Sequence, residues 1–338
     1  MRSLTELVDA LSTPPPAVVD DLAGLDGDLV VLGAGGKIGP ELAVMARRAL
    51  DTAGSAATVT AVCRSLEPDT GRRMTEAGVR LHHADLLDED ALAGLPDAAS
   101  VLYLVGRKFG TSGDEATTWL VNTYLPGRVA HRYAGSRMVA FSTGNVYPLV
   151  PVSSGGATEN TTPAPVGEYA ASSLGRERVM SAVCQASGTP LALLRLNYAV
   201  EMRYGVLLEL ATAVRDGHGI DLTTGVVNVI WQGDVNAATL RALSLADVPA
   251  TVLNLTGPET VSVRWLAYRF GELLGREPRL VGEEAPTALL SNASRANQLL
   301  GYPTVPLAQV VEWTAGWVAA GGETHGKPTH FATRDGRF

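Results

Sequence analysis

The segment Leu29-Val30-Val31-Leu32-Gly33-Ala34-Gly35-Gly36-Lys37-Ile38-Gly39 constrains the fold of this chain more than any other. An apolar run of strand length passes into Gly33, Gly36 and Gly39 at intervals of three, and then into a helical stretch over residues 38–53. A turn without Cβ atoms lets backbone approach a phosphate at the N-terminus of the following helix, where free N–H groups and the helix dipole favour anions. The spacing therefore predicts a strand–turn–helix unit that holds a pyrophosphate, with Gly33, Gly36, Lys37, Ile38 and Gly39 around it. The alternative is a tight turn with no ligand.

The same alternation continues downstream. Apolar runs bounded by glycine predict strands over residues 28–33, 58–63, 79–83, 100–105, 137–142 and 190–196, with crossover helices over 38–53, 115–134 and 167–187. That rhythm is the signature of βαβ units on a parallel sheet. Upstream, Ser3 and Glu6 form a capping box, Leu4, Leu7, Val8 and Leu11 share one helical face, and Pro14 to Pro16 stop the helix. After Asn197 the pattern becomes irregular, with a helix over 204–216, a strand from Val226 to Ile230, and helices over 234–244 and 261–275. The expected fold is α/β, a Rossmann-type doubly wound parallel sheet with a smaller C-terminal α/β substrate lobe. Its expected divisions are a helical extension (1–27), a dinucleotide-binding domain (28–197), a substrate lobe (198–320) and a polar, loose tail (321–338).

Composition narrows the class. With 46% hydrophobic and 18% charged residues over 338, the chain has enough apolar mass for a large core, which excludes a disordered or collagen-like protein. A net charge of −8 opposes general binding to nucleic acid, which needs clustered cations. Two cysteines, Cys63 and Cys184, cannot make a disulfide framework, and no Cys/His cluster has zinc-ligand spacing, so no metal is expected. Acidic residues interrupt the N-terminal segment, and no stretch approaches the ~20 apolar residues of a membrane helix. A cytoplasmic protein, off the membrane, is the expectation.

The end of the second strand bears on the cofactor. An acid there would bond the ribose 2′-OH of NAD, whereas a base would admit the 2′-phosphate of NADP. The sequence reads Cys63-Arg64, which predicts NADP with Arg64 as its reader; the alternative is NAD with Arg64 a solvated surface residue. Asp85 and Leu86, after the third strand, are expected at the adenine edge. His82 and His83 alternate across that strand and read as structural.

Several segments follow in a familiar order: Val101-Leu102-Tyr103-Leu104-Val105-Gly106, Asn122, Phe141-Ser142-Thr143-Gly144-Asn145-Val146-Tyr147, Tyr169 opening a helix that contains Glu177, Leu194-Arg195-Leu196-Asn197-Tyr198, Trp231-Gln232-Gly233-Asp234-Val235 and Leu253-Asn254-Leu255-Thr256-Gly257. From Asp28 to about Trp317 the chain resembles the extended short-chain dehydrogenase/reductases, the NAD-dependent epimerase/dehydratase family. The resemblance implies Thr143 as the catalytic hydroxyl, Tyr169 as the acid/base, and Val105 and Asn122 beside the dinucleotide. Asn145, Arg195 and Asn197 are candidate substrate contacts, the alternative being a strand-end asparagine satisfied within the protein; the implied assembly is a homodimer through the helices over 115–134 and 167–187. Trp231, Trp313 and Trp317 read as packing residues.

Two departures matter. The family's Tyr-x-x-x-Lys lysine is Ser173 here, and the chain's lysines are Lys37, Lys108 and Lys327. A neutral serine cannot stabilise a tyrosinate, so Lys108, on the loop after the fourth strand, is the expected substitute; the alternative is a solvated loop cation. Where sugar-nucleotide members clamp a diphosphate, this chain reads Gly282-Glu283-Glu284-Ala285-Pro286-Thr287, whose carboxylates would repel phosphate. The expected activity is therefore an NADP-preferring oxidoreductase, epimerase or dehydratase acting on a small, uncharged or cationic, sugar-like or hydroxy-carbonyl compound. The rival is a dinucleotide-binding regulatory or scaffold protein without hydride chemistry, as Ser173 would allow.

Overall fold

The structure is a computed structural model and describes residues 1–108, 110, 111 and 113–337; Phe109, in the loop that carries Lys108, Ser112, and Phe338 at the end of the expected tail lie outside the described residues. Seven strands form the main sheet: β1 (Leu29–Leu32), β2 (Val59–Cys63), β3 (Arg80–His83), β4 (Ser100–Tyr103), β5 (Arg137–Thr143), β6 (Leu191–Leu196) and β7 (Thr251–Leu255). Their spatial order is β7-β6-β5-β4-β1-β2-β3, and every neighbouring pair is parallel. The direction of winding reverses at β1, between β2 and β4, and in sheets of this kind ligands bind at the strands' C-terminal ends by such a reversal.

All of β1 is buried, as a strand covered by helices on both faces requires. Its residues alternate between two cores: Leu29 and Val31 join Leu42, Met45, Leu102 and Leu194, while Val30 and Leu32 join Val101, Tyr103, Val129 and Leu193. The helix Gly39–Thr52 follows the glycine turn, and Gly167–Ser187 crosses from β5 towards β6. The helical run from Glu115 to Arg132 is wound wider over Leu120–Tyr124. The sheet also takes back a strand from the later half of the chain, since β7 pairs with β6 from Thr251 opposite Ala192 to Leu255 opposite Leu196.

The second lobe packs helices Val206–Asp216, Val263–Leu274 and Leu307–Ala319 around Trp231 and Trp317. Trp231 meets Trp313 edge to face, with centroids 5.4 Å apart. The segment read as one strand from Val226 to Ile230 is two short pieces. Val226–Val227 pairs with Val261–Ser262, and Ile230–Trp231 with Ala199–Val200. Asn228 separates them, because its amide donates to the Glu259 carbonyl and accepts from the Ser291 N–H.

Among the described residues, both terminal segments are built into the fold. In the first helix, Leu4–Ser12, Leu7 and Leu11 enter the core of the second lobe; a further helix, Pro16–Ala23, opens at the last residue of the Pro14–Pro16 run and buries Val18 and Leu22 against the sheet. Half of the capping box forms: Ser3 Oγ accepts from the Glu6 N–H at 3.2 Å, while the Glu6 carboxylate takes the Arg2 N–H at 2.6 Å. The tail from Gly321, expected to be loose, is tied down. The Glu323 carbonyl accepts from Trp317 Nε1, the His325 N–H donates to the Arg203 carbonyl, Thr329 is clasped by Glu209, and the Arg334 guanidinium reaches the Thr287 carbonyl and hydroxyl. Among the described residues no helix is long and apolar enough to cross a membrane.

Candidate active site

The glycines of the first turn do two different jobs. Gly33 has φ +84°, and a Cβ there would lie 2.9 Å from the Val105 nitrogen; a Cβ on Gly39 would lie 2.5 Å from Ala34 Cα. Those two positions are glycine so that the protein can pack on itself. At Gly36 a Cβ would meet only the Gly33 carbonyl, at 3.4 Å, so what glycine keeps open there is the outer face of the turn. Beyond it runs a cleft of about 600 Å³, walled by Gly35, Gly36, Arg64, Asp85, Leu86 and Val105. This cradle fits the adenosine and phosphate half of a dinucleotide.

Within the cleft Arg64 and Asp85 are exposed, Leu86 is buried, and Asp85 Oδ1 accepts from the Leu87 N–H at 3.0 Å. Asn122 does not line it. Its amide accepts from the Arg107 N–H at 2.7 Å and donates to the Arg107 carbonyl at 2.9 Å and to Ser172 Oγ at 3.0 Å. With those groups occupied, the residue clamps the loop after β4 to the helix that carries Tyr169. His82 and His83 stand on β3, and no group of described residues is arranged to hold a metal ion.

A second cavity, of about 150 Å³, opens where β5 and β6 end. It brings together Thr143, Asn145, Tyr169, Asn197, Lys37, Ile38 and Lys108, so two residues of the glycine turn face this chamber. Thr143 ends β5, and its Oγ1 accepts from the Asn145 N–H at 3.2 Å. Tyr169 lies in the first turn of the helix Gly167–Ser187. Lys37 Nζ stands 2.8 Å from the centroid of the Tyr204 ring, and burial, together with repulsion from Lys108 and Lys327, lowers its pKa to about 7, against the pull of Glu201 and Glu209. Lys108 Nζ donates to the Thr329 carbonyl at 3.0 Å; burial lowers its pKa to about 8, with Glu209 acting the other way.

Four residues that the sequence singled out do something else. Ser173, at the position of the family lysine, is 1% exposed, and its hydroxyl donates back to the Tyr169 carbonyl at 2.7 Å. Arg195 faces away from the chamber into a buried two-pronged ion pair: Nε to Glu177 Oε1 at 2.9 Å and Nη2 to Glu177 Oε2 at 2.7 Å, while Nη1 donates to the Tyr147 hydroxyl at 2.7 Å. The physical reason is that a guanidinium under the sheet needs a matched carboxylate, and Glu177 supplies it. Glu283 and Glu284 are exposed, and Glu284 is held by Arg264 at 2.7 Å and 3.0 Å. Neither carboxylate lines the chamber.

The sequence reading also missed wall residues. Tyr204, Gln232 and Thr329 line the chamber, as does Tyr198, whose backbone takes a left-handed φ of 44° and whose hydroxyl reaches the Phe331 carbonyl at 3.4 Å. The Tyr198-containing and Gln232-containing segments carry a signal in the family motifs. Thr329 carries none.

Comparison with known proteins agrees with this geometry. A family model described as NAD dependent epimerase/dehydratase matches residues 29–203, just over half of the chain. Among solved structures, UDP-glucuronic acid 4-epimerase from Bacillus cereus in complex with NAD has a TM-score of 0.71 at 19% identity, over 86% of this chain and 96% of that one. UDP-glucose 4-epimerase from Thermotoga maritima with UDP-glucose gives 0.70 at 17%, over 86% and 98%. UDP-glucose 4-epimerase from Thermus thermophilus with NAD gives 0.69 at 20%, over 87% and 99%. At these identities the likeness shows the fold. No curated protein matches the sequence. The family model, the parallel seven-stranded sheet and the glycine cradle together show that this chain belongs to the NAD-dependent epimerase/dehydratase family.

Proposed function

We propose that this protein is a nicotinamide-dinucleotide-dependent enzyme acting on a sugar or sugar-like hydroxyl, in net oxidoreduction or in epimerisation or dehydration through transient oxidation. The observation that carries the reading is one chamber in which Thr143, Tyr169 and Lys108 meet, next to a cleft floored by the glycine turn. The bound dinucleotide would supply the hydride acceptor and donor, held by the turn at Gly33, Gly35 and Gly36.

The chain's own residues supply the proton chemistry. A substrate hydroxyl against Tyr169 Oη loses its proton to that oxygen, or regains it in the reverse direction. Thr143 Oγ1, already accepting from the Asn145 N–H, turns its hydroxyl hydrogen towards the reacting oxygen. A tyrosine with an unperturbed pKa near ~10 needs a nearby cation to give up its proton near neutral pH. Ser173 carries no charge, and the chamber's cations are Lys108 and Lys37. Asn145 and Asn197 orient the substrate.

The proposal extends to cofactor choice and assembly. NADP is preferred over NAD, with the exposed Arg64 at the cleft rim meeting the 2′-phosphate, although the solved relatives named above hold NAD. A homodimer through the helices over 115–134 and 167–187 accords with exposed Trp119, Leu120, Tyr124 and Val166 on that side. A cytoplasmic location accords with two free, buried cysteines.

The test is a screen of free sugars, sugar acids, polyols and UDP-sugars for change in the reduced-nicotinamide absorbance, or for epimer formation, with both cofactors. Turnover that disappears in Tyr169→Phe supports the reading. The rival, a dinucleotide-binding protein without chemistry, is favoured by the closed Ser173 position; it requires dinucleotide binding without turnover of any compound.

A further inference from the structure

The segment that follows the helix Leu307–Ala319 forms part of the chamber wall. Glu323, His325 and Lys327 pass the outer flank of the glycine turn, beside Gly35, Gly36 and Lys37. Thr329, 3% exposed, then stands in the chamber with Lys108, Tyr169 and Tyr204. Beyond it the Phe331 carbonyl accepts from the Tyr198 hydroxyl at 3.4 Å, and the Arg334 guanidinium donates to the Thr287 carbonyl at 2.8 Å and hydroxyl at 2.7 Å. The segment ends on the first turn of the helix that carries Tyr169. There Gly336 (φ +74°) and Gly167 (φ +81°) approach so closely that a Cβ on either would run into the other's backbone.

Thr329 is gripped from two sides. Its N–H and hydroxyl donate to the Glu209 carboxylate, on the helix Val206–Asp216 of the second lobe, and its carbonyl accepts from Lys108 Nζ, on the loop after β4, at 3.0 Å. Its Oγ1 also accepts from the Phe331 N–H at 3.2 Å. The segment thus straps the two lobes together across the chamber. Burial raises the Glu209 pKa and the two bonds from Thr329 oppose that rise, so pulling Thr329 away would leave a half-buried carboxylate short of its donors. Such a contact favours a fixed wall over a mobile one.

The space that remains is small. The chamber holds about 150 Å³, the liquid volume of about five waters, against ~300–1,000 Å³ for sites that take a drug-sized ligand and about 600 Å³ in the dinucleotide cleft next to it.

We propose that the segment from Glu323 to Arg337 sets substrate specificity: it walls the chamber so that a free sugar is admitted and the same sugar linked to a nucleoside diphosphate is excluded. The proposal rests on the reading of this chamber as the substrate site, and it narrows that reading. A nucleotide-linked sugar must lead a diphosphate and a nucleoside out of the chamber between the lobes, and the strap lies there. A free sugar needs no such exit, and the Thr329 wall offers its hydroxyls polar partners.

Isothermal titration of the whole chain in the presence of NAD tests this, with glucose, galactose and glucuronate as probes, each beside its UDP-linked form. The wild type is expected to bind at least one free sugar, and to bind no UDP-linked sugar more tightly than its free form. Arg334→Ala and Gly336→Val cut moorings that lie outside the chamber lining. They are expected to bind a UDP-linked sugar about tenfold or more tightly than the wild type does, with no such gain for the free sugar and with NAD affinity in place. Amide exchange at His325, Thr329 and Phe331 reports the state of the strap: slow in the wild type with or without sugar, fast in the variants. If neither variant speeds exchange, Glu209→Ala removes the grip on Thr329 itself and is read by the same criteria.

The proposal is overturned, with the substrate reading intact, if the wild type binds a UDP-linked sugar as tightly as the loosened protein does. It is overturned likewise if the strap amides open when that ligand binds, because the segment is then a gate, or if a loosened protein still rejects the UDP-linked form. If no sugar in either form binds the wild type or the loosened proteins, the substrate reading fails and the proposal fails with it.

Discussion

Ser173 lies one helical turn after Tyr169, and its hydroxyl donates to the Tyr169 carbonyl at 2.7 Å. The position from which a lysine would normally support the tyrosine is thus folded onto its own helix and buried. The cations of the chamber come from two loops, Lys37 on the glycine turn and Lys108 after β4. A charge carried on loops and clasped by the tail, through the 3.0 Å bond from Lys108 to the Thr329 carbonyl, depends on tertiary structure in a way that a helical lysine does not.

The two kinds of glycine in the turn separate in mutagenesis. Gly33→Ala places a Cβ at a left-handed φ and against the Val105 backbone, and is expected to lower stability by about 1–3 kcal/mol. Gly36→Val meets little of the protein itself, so thermal denaturation is expected to stay close to wild type while titration calorimetry shows dinucleotide affinity lost. Unchanged affinity in Gly36→Val would remove the pyrophosphate from this turn.

Arg64 governs cofactor choice in this account. The wild type is expected to bind NADPH more tightly than NADH, and Arg64→Ala to shrink the difference by removing a charge-assisted contact of about 1.5–3 kcal/mol. Equal affinities in the wild type would show that Arg64 does not read a 2′-phosphate.

Arg195 is expected to act on stability. Its two-pronged pair with Glu177 is buried, and Arg195→Met leaves that carboxylate uncompensated, so a loss of about 3–5 kcal/mol is expected in urea unfolding. Substrate affinity in the folded fraction should change little. A raised KM with unchanged stability would return Arg195 to the substrate.

What the sequence made legible, and what it hid, follows the range of the interactions. The strand–glycine–helix unit, the strands up to Leu196 and the convergence on Thr143 and Tyr169 rest on local periodicity and ordered motifs, and these are recoverable one segment at a time. The fates of Asn122 and Arg195 are not, because both are decided by buried partners far away in the chain: Ser172 for one, Glu177 and Tyr147 for the other. The tail is the extreme case. Nothing local in Gly326-Lys327-Pro328-Thr329 says that its threonine will reach Glu209 and the Lys108 ammonium.

Lys37 sets a pH dependence of stability. Its pKa is about 7 in the folded chain against 10.5 when unperturbed, so between those values the unfolded chain binds more protons. The cost of charging Lys37 is fully felt below about pH 7 and is relieved progressively as pH rises towards 10.5. Thermal melts across this range should show the wild type gaining stability relative to Lys37→Met as pH rises. A constant difference between the two proteins would mean that Lys37 titrates normally.

We propose that Tyr169 moves the substrate proton with Lys108 as its supporting cation. The direct measurement is steady-state turnover of Tyr169→Phe and Lys108→Met, on whichever substrate the screen returns, beside their dinucleotide affinities. Each variant is expected to lose about 10²–10⁴-fold in kcat while binding the dinucleotide nearly as the wild type does. Wild-type turnover in Tyr169→Phe would contradict the account and move the chemistry to another residue.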